Sequence, residues 1–513
     1  MRIFMKILAV MMLASIVTIR GQIPMTEKNS YDILIKHGTI IDGSGAPGFK
    51  ADVLVKDQKI VLISDVDTSL ISAHRTIDAT GKVVTPGFID HHAHGDPLKT
   101  PEFKNFSAMG VTTIFLGQDG ESSDHIAEWM SQVEAAQTAI NIGSYVGHGS
   151  VRNQAGVKLD PSPSYWARRK MATLVDEALE AGCFGLSTGL EYQPGSFSKI
   201  NELITLAKPV GKRGGVVSSH TRNEDDEAVQ NSIAELITQG AGGGCAVNIS
   251  HLKVVYGHGA DRAEAILQQM EAAREEGISI TADMYPYQAS YTGIGIVFPD
   301  WAKPPYNYEQ VVAARRDELA TYLRERIQRR NGPEATLFGT APWAGKTLTQ
   351  VALELGKPFE DVLIDDIGPK GASAAYFVMD QELQDRLFLD PFIMTCSDGS
   401  PTMRHPRGYG SFAKVIRYYV NETKLLNIEQ AVYKMSGLPA KTVGLVEQHR
   451  GLLKAGFAAD ILVFDPDAIE DAASFENPHE LARGFDWVIV NGAVVRGEGE
   501  FTGKRPGKML RKS

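Results

Sequence analysis

The sequence predicts an α/β fold, a TIM-like (β/α)8 barrel combined with a small β-sandwich domain. Through the middle of the chain, short apolar runs alternate with amphipathic helical stretches, which is the pattern of a parallel sheet with crossover helices. Both ends of the chain instead alternate β-type runs with Gly/Asp turns. One interval, at about residues 288–390, is too long for a single crossover helix and predicts an insertion after the seventh strand.

The first residues differ from the rest of the chain. Arg2 and Lys6 precede an apolar run over residues 7–19, and polar residues follow it. A basic start before a short apolar run is typical of a signal peptide, and the run is shorter than the about 20 residues that a membrane span needs. We therefore expect residues 1–22 to be a signal peptide and the protein to be secreted or periplasmic. It would be cytoplasmic if this segment were mis-assigned.

The small β domain is predicted from the two ends of the chain together. Residues 31–84 contain short β-type runs around turns such as "DGSG", and residues 446–498 contain the runs "ADILVFD" and "WVIVNGAVV". The sequence "ADVLV" near the start resembles "ADILV" near the end. We expect both segments to build one domain, with the barrel of residues 85–445 between them.

The barrel prediction depends on eight strand candidates of apolar, β-type composition. They are residues 83–89, 112–117, 142–147, 184–188, 216–220, 246–251, 279–283 and 392–397. Amphipathic stretches such as residues 171–181 and 263–277 lie between them and predict the crossover helices. The interval before the last strand contains the Pro-rich "FPDWAKPPYNY" and a charged helical pattern, and we expect it to lie over the barrel mouth.

Composition and charge limit the classes of partner. The chain of 513 residues has a net charge of -10, and no cluster of Lys and Arg stands out in it, which argues against nucleic acid and against stable association with an anionic membrane. Its three cysteines include no Cys-x-x-Cys pair, so buried thiols are expected rather than a thiolate metal site. A small molecule is therefore the expected partner.

Polar residues at the carboxyl ends of the barrel strands predict a metal site. His92 and His94 follow the first strand two positions apart and therefore point to one side, while His91 points to the other. Ligand-type residues also end other strands: Asp119 the second, His220 the fifth, His251 the sixth and Asp398 the eighth. In a barrel these ends meet at one mouth, and four imidazoles with two carboxylates are typical of a transition-metal site, most plausibly one or two Zn²⁺ ions.

Such a site is suited to hydrolytic chemistry. Zinc lowers the pKa of a bound water to about 7 and polarises a carbonyl, and Asp398 is the expected general base that takes the water proton and returns it to the departing amine. Arg222 and Lys253 lie two positions beyond His220 and His251, so they would point into the mouth if the strands continue. Arg222 could equally pair with a nearby acid.

Longer motifs carry a resemblance to a known family. "PGFID-x-H-x-H" after the first strand, a histidine on each of strands five and six, and an aspartate on strand eight match the amidohydrolase superfamily. Six further motifs resemble those of the N-acyl-D-amino-acid deacylases, also called D-aminoacylases: "GLSTGLEYQPG", "SHTRNE", "ISHLK", "DMYPYQAS", "SDGSP" and "HPRGYGSF". The resemblance covers residues 31–495.

This resemblance implies a zinc-dependent hydrolase acting on linear amides, which converts an N-acyl-D-amino acid to a carboxylate and a D-amino acid. It also implies that Lys253, Tyr285 and Arg407 hold the α-carboxylate of the substrate, and a bidentate Arg contact is physically suited to that role. Tyr291 stands where relatives have a serine hydroxyl that contacts this carboxylate.

One departure from the family pattern concerns the metal site itself. These deacylases usually carry a metal-binding Cys in the motif that reads "GVTTIFLGQDG" here, where Asp119 stands in its place. An aspartate can ligate or bridge metal ions, but replacing a soft sulfur by a hard oxygen changes metal preference. Glu191, near the end of strand four, is a rival bridging carboxylate, and Asp119 could instead cap a turn.

Other functions stay open on the sequence alone. A dipeptidase for D-residue dipeptides fits the same motifs, because such a dipeptide is itself an N-acyl amino acid. A cyclic-amide hydrolase of the superfamily would be expected to bridge two metal ions with a carboxylated lysine on strand four, where this chain has Ser187, Thr188 and Glu191. A non-catalytic binding protein on this scaffold would be expected to have lost ligands.

Overall fold

The computed structural model describes residues 30–65 and 71–513. The predicted signal peptide, residues 1–22, lies outside the described residues. Within them, no helix combines the length and apolar character needed to cross a membrane. The described chain begins with five strands: β1 Ser30–Ile40, β2 Phe49–Lys56, β3 Lys59–Ser64, β4 Ser72–Asp78 and β5 Val83–Pro86.

A parallel barrel follows, and its first seven strand positions alternate with helices. The strands are β6 Phe88–Asp90, β7 Val111–Leu116, β8 Asn141–Ser144 continued by β9 Val146–Gly147, β10 Gly185–Gly189, β11 Val216–His220, β12 Ala246–Ile249 and β13 Ile280–Met284. The helices are α1 Lys104–Ala108, α2 Ile126–Ala136, α3 His148–Gln154, α4 Tyr165–Ala181, α5 Ile200–Lys212, α6 Val229–Gly243 and α7 Ala260–Glu275.

The insertion between the seventh and eighth strands has its own sheet and its own apolar core. It contains β14 Ala289–Gly293, α8 Tyr308–Arg329, β15 Thr336–Phe338, α9 Leu348–Leu355, α10 Phe359–Asp361 and β16 Ser373–Phe377. The three strands pair antiparallel in the order β14-β16-β15. Residues of this core also include Tyr285 and Cys396, so the insertion packs directly on the ends of the barrel strands.

The rest of the chain closes the barrel and completes the terminal sheet. Its elements are α11 Gln381–Phe388, β17 Ile393–Thr395, α12 Arg407–Lys414, α13 Ile428–Val432, α14 Leu438–Val443, β18 Ile461–Phe464, β19 Phe485–Val490, β20 Ala493–Gly497 and β21 Glu500–Phe501. β17 pairs parallel with β13. The segment that follows β17 contacts the first barrel strand and so closes the barrel. There the Asp398 amide donates to the His92 carbonyl at 2.8 Å, and the Ser397 amide donates to Asp90 Oδ1 at 3.0 Å. The predicted (β/α)8 barrel is confirmed.

The two ends of the chain form one nine-stranded sheet. β5 pairs parallel with β1 and antiparallel with β18, which joins the N-terminal strands to the C-terminal ones. The prediction of a single strand over residues 83–89 was wrong, because β5 belongs to this sheet and only β6 belongs to the barrel. Gly87 separates them, and a side chain there would collide with Thr112 of the neighbouring barrel strand.

Candidate metal centre

The carboxyl ends of the barrel strands open into one cavity of about 920 Å³. The residues predicted as ligands line it, with the exception of His92, which is completely buried beneath it. In two groups that contain Asp119, the donor atoms lie within 4.8 Å of one another: the first is His92, His94, Asp119 and Asp398, and the second is Asp119, His220 and His251. The strand-end residues that the sequence singled out as ligands and base are therefore brought together.

Asp119 stands at the centre of both groups. Its Oδ1 lies 3.4 Å from Nε2 of His92, 3.4 Å from Nε2 of His251 and 3.8 Å from Nδ1 of His220. Its Oδ2 lies 3.4 Å from Nε2 of His94. One carboxylate thus faces all four imidazoles, which is the position of a residue that could bridge two metal ions.

The donor set fits a divalent metal ion. Both ring nitrogens of His92 are buried and make no hydrogen bond within the described chain, so this imidazole has donor capacity that no protein group uses. Burial lowers the pKa of His94, but contacts with Asp119 and Asp398 outweigh it and raise the pKa to about 10. The same gathered negative charge would attract a cation, and binding would release the imidazole protons.

Three of the site residues have left-handed backbone conformations. The φ angles are 54° at Asp119, 36° at His251 and 47° at Asp398, where side chains other than glycine are uncommon. Strained backbone of this kind clusters at functional sites, where surrounding structure enforces it. Here the chain turns sharply at the strand ends, and Gly189 of β10 packs on the Asp119 carbonyl so closely that a side chain there would collide with it.

Asp398 is held between the metal-ligand cluster and a cation. Its Oδ1 lies 3.2 Å from Nε2 of His94, and its Oδ2 lies 2.8 Å from Nη1 of Arg407. Burial raises the pKa of this carboxyl, but Arg407 and the neighbouring imidazoles outweigh burial and hold the pKa well below its usual range. The carboxylate is therefore ionised, which is the form that can accept a proton.

A second group of residues, here called the anion-binding wall after its predicted role, lies beside this cluster. Tyr285 lies between two cations, with Cζ of Arg407 4.7 Å and Nζ of Lys253 5.9 Å from its ring centre. The Tyr285 hydroxyl and Nε of Arg407 are buried without a hydrogen-bond partner in the described chain. The three residues predicted to hold a carboxylate thus share one wall, with unused donors.

Arg222 does not take part in this wall, which corrects its prediction as a substrate-binding residue. β11 ends at His220, so the alternation of side chains does not continue to position 222. Arg222 instead pairs with Glu235 of α6 at 2.9 and 3.0 Å, and donates to the carbonyls of Ser196 and Ser198 at 3.0 Å each. The structure therefore agrees with the alternative prediction for Arg222, that it pairs with a nearby acid.

Sequence reasoning missed Glu224 and identified Glu191 only as a rival ligand. Glu224 Oε1 lies 2.6 Å from Nζ of Lys253 and 3.2 Å from Nδ1 of His251, so it holds both side chains. Glu191 Oε2 lies 3.0 Å from Nε2 of His220. The position of Glu224 within "SHTRNE" was a possible signal, but its side chain comes from a loop whose direction the sequence does not reveal.

His91, expected to point away from the metal ligands, supports them from behind. It is fully buried, with Nε2 2.7 Å from the Tyr145 hydroxyl and Nδ1 3.2 Å from Oδ2 of Asp283. The other oxygen of Asp283 accepts the His251 amide at 2.7 Å. A hydrogen-bond network under the site therefore links the first strand to the loop that carries a ligand.

Comparison with known proteins agrees with this geometry. The model of the amidohydrolase family matches residues 75–291 and 392–496. N-acyl-D-glutamate deacylase and D-aminoacylase of Alcaligenes xylosoxydans xylosoxydans are 33% and 32% identical to the chain, each over 94% of it and over 96% and 98% of their own lengths. The crystal structure of N-acyl-D-glutamate deacylase from Bordetella bronchiseptica, complexed with zinc and a phosphonate inhibitor, superposes with a TM-score of 0.81 at 32% identity, over 94% of this chain and 100% of that one.

Proposed function

The chain belongs to the amidohydrolase family, and from this membership we propose that it is a zinc-dependent deacylase that hydrolyses N-acyl-D-amino acids to a carboxylate and a D-amino acid. One observation carries the proposal: a cluster of four imidazoles around Asp119 adjoins a wall of Lys253, Tyr285 and Arg407 with unused donors. With a metal ion bound, the imidazole cluster can activate an amide, and the wall can hold the carboxylate that lies beside that amide. The relatives named above act on this class of substrate.

The residues of the site have separate roles in amide hydrolysis. A bound metal ion, held by His92, His94, His220, His251 and Asp119, would polarise the amide carbonyl and lower the pKa of a water ligand. Asp398 takes a proton from the attacking water and gives it to the amide nitrogen as the C–N bond breaks, so that the amine leaves neutral.

Substrate orientation follows from the position of the anion-binding wall. Arg407 and Asp398 are in contact at 2.8 Å, so a carboxylate held by Arg407 places the neighbouring amide beside the general base. Holding the reacting groups in this way removes much of the entropic cost of the reaction. Lys253, fixed by Glu224, and the Tyr285 hydroxyl complete the contacts to the same carboxylate.

A cyclic-amide hydrolase is less well supported. Such enzymes would be expected to carry a carboxylated lysine at the end of the fourth strand, and β10 with its following loop offers Ser187, Thr188 and Glu191. D-residue dipeptides have the same linear amide and α-carboxylate as the proposed substrates and belong in the same assay.

Metal-loaded protein should release D-amino acids from N-acetyl-D-amino acids and be slower on the L-enantiomers. Removing the metal with a chelator should lower the rate at least about 100-fold, since a metal ion contributes several kcal/mol of transition-state stabilisation, and zinc should restore it. Product release is measured by chromatography, with D-dipeptides tested in parallel. No hydrolysis of any D-substrate by protein with bound metal would refute the proposal.

Tyr285→Phe should weaken substrate binding without weakening the fold. The Tyr285 hydroxyl is buried and has no hydrogen-bond partner in the described chain, so its removal costs no protein contact. A hydrogen bond to a charged group contributes about 1.5–3 kcal/mol, so kcat/KM should fall about 10- to 100-fold, mainly through KM, while the melting temperature is unchanged.

Tyr287→Phe is the matched control for this variant. The Tyr287 hydroxyl is equally buried and without a hydrogen-bond partner in the described part of the chain, but it does not line the cavity. Its loss should leave KM unchanged. Equal effects of the two substitutions on KM would show that the Tyr285 hydroxyl does not contact substrate.

A further inference from the structure

Arg330 is a cavity-lining cation without a carboxylate partner in the described part of the chain. It directly follows α8 of the insertion and is only 2% exposed, yet it lines the cavity of the metal centre. Its Nε is buried without any hydrogen-bond partner in the described chain, and Nη1 has only a 3.5 Å contact to the Tyr256 hydroxyl. No described carboxylate lies within 4.0 Å of its guanidinium.

The other cations of the cavity are paired. Lys253 contacts Glu224 at 2.6 Å, and Arg407 contacts Asp398 at 2.8 Å. Asp225, which also lines the cavity, is paired at 2.7 Å with Arg326, which lies in the last turn of α8, four residues before Arg330. Asp225 therefore serves another cation, and no carboxylate in the described chain pairs with Arg330.

Two tyrosine rings pack near the Arg330 guanidinium, and hydroxyl groups lie on the same face of the insertion sheet. Its Cζ lies 4.8 Å from the ring centre of Tyr376 and 6.0 Å from that of Tyr256. Tyr376 pairs with Ser290 on β14 and with Thr336 on β15, so these three side chains lie on one face of the insertion sheet. The hydroxyls of Tyr376 and Thr336 are buried and lack hydrogen-bond partners among described residues.

Aromatic rings compensate a buried guanidinium only in part, because they attract the charge but accept no full set of hydrogen bonds. Removing a cation from water is costly unless an anion and hydrogen-bond acceptors replace the water. A pre-oriented guanidinium with a free Nε suits a carboxylate, which it can bind through two parallel N–H···O bonds.

We propose that Arg330 forms a second anion subsite and selects substrates that carry a carboxylate in addition to the α-carboxylate. The inference rests on the proposed function. In this arrangement Arg407, Tyr285 and Lys253 hold one carboxylate on one side of the reacting amide, and Arg330 holds the other beneath the insertion. The second carboxylate belongs either to the amino-acid side chain or to the acyl group, and both have the same chemistry at Arg330.

The test compares matched pairs of substrates that differ in one charge. N-acetyl-D-glutamate against N-acetyl-D-glutamine, and N-acetyl-D-aspartate against N-acetyl-D-asparagine, place the charge on the side chain. N-succinyl-D-alanine against N-butyryl-D-alanine places it on the acyl group. We expect kcat/KM to favour the charged member of at least one pair by about 10- to 100-fold, as for a hydrogen-bonded ion pair.

Arg330→Met should abolish that preference and leave kcat/KM for the neutral substrates nearly unchanged. Arg329→Met is the matched control, because Arg329 also stacks on Tyr256, at 4.6 Å, but is paired with Glu227 and does not line the cavity. It should keep the preference. If Arg330→Met does not fold, as judged by thermal melting, Arg330→Gln takes its place in the same comparison.

Each contrary result has a separate meaning. Hydrolysis of neutral D-substrates without any preference for a second charge would overturn the subsite and leave the proposed function standing. An equal loss on charged and neutral substrates in Arg330→Met would assign Arg330 a structural role only. No hydrolysis of any D-substrate by metal-loaded protein would overturn both proposals.

Discussion

Asp398→Asn should abolish turnover while zinc stays bound. The amide side chain keeps the shape of the carboxylate but cannot take the water proton, and general acid–base catalysis contributes about 100- to 10,000-fold to a rate. Asp398 serves both proton transfers, so we expect a loss at the upper end of that range. His92, His94 and Asp119 remain in place around the ion, so the metal content should be that of the unmodified protein.

Two measurements on the same preparation check this result: kcat on an N-acetyl-D-amino acid and zinc content by mass spectrometry. Asp96→Asn is a suitable control, because Asp96 lines the cavity but is not in the ligand cluster. That control should retain activity. A near-normal rate for Asp398→Asn would refute the general-base role, and loss of zinc would instead make Asp398 a necessary ligand.

Asp119→Ala should have the second large effect, on metal binding itself. The four imidazoles face this carboxylate at 3.4 to 3.8 Å, so its removal takes a ligand and a compensating charge from both groups of donors. Mutations of residues that only support a ligand cost about 10- to 100-fold in metal affinity, and loss of a shared ligand should cost more. Activity should fall with the bound metal.

Asp119→Cys, compared with Asp119→Ala, shows whether the metal site needs a carboxylate at this position or only a metal-binding side chain. A thiolate can also ligate or bridge zinc, so this variant should keep the metal that Asp119→Ala loses, with a shift of preference toward softer ions. Metal content and competition against a chelator measure both variants. Unchanged zinc affinity in Asp119→Ala would assign the central role to Glu191 and leave Asp119 as a turn residue.

Strand alternation predicted side-chain directions correctly where the backbone stays extended. His92 and His94 were placed together and His91 opposite, and this holds although β6 ends at Asp90, because Ala93 still forms a parallel bridge with Gly399. The same argument failed for Arg222, since β11 stops at His220 and the chain then turns toward Glu235. The alternation of side chains persists only as long as the backbone stays extended, and the sequence does not show where the extended backbone ends.

The sequence could not predict which charged side chains pair with each other in the cavity. Glu224 reaches Lys253 and His251 from the loop after β11, and Arg330 reaches the cavity from the end of an insertion helix. Glu224 is four residues past the end of β11, and Arg330 lies just past the end of α8, so neither strand alternation nor helical periodicity predicts where these side chains point. The loop of Glu224 is held by its pairing with Val255, and Arg330 is placed by the insertion through Tyr376, so both directions depend on contacts between distant segments.

The barrel, the sharing of one domain by both chain ends, the ligand types at the strand ends and the family could all be predicted from the sequence. These features depend on local alternation and on residues at fixed spacing, so they can be read without contacts between distant segments. The folded structure was needed to show that Asp119 faces all four histidines, that Arg222 lies outside the site and that Arg330 lies inside it. Turns and loops direct these side chains, and the course of a loop depends on packing between segments far apart in the chain.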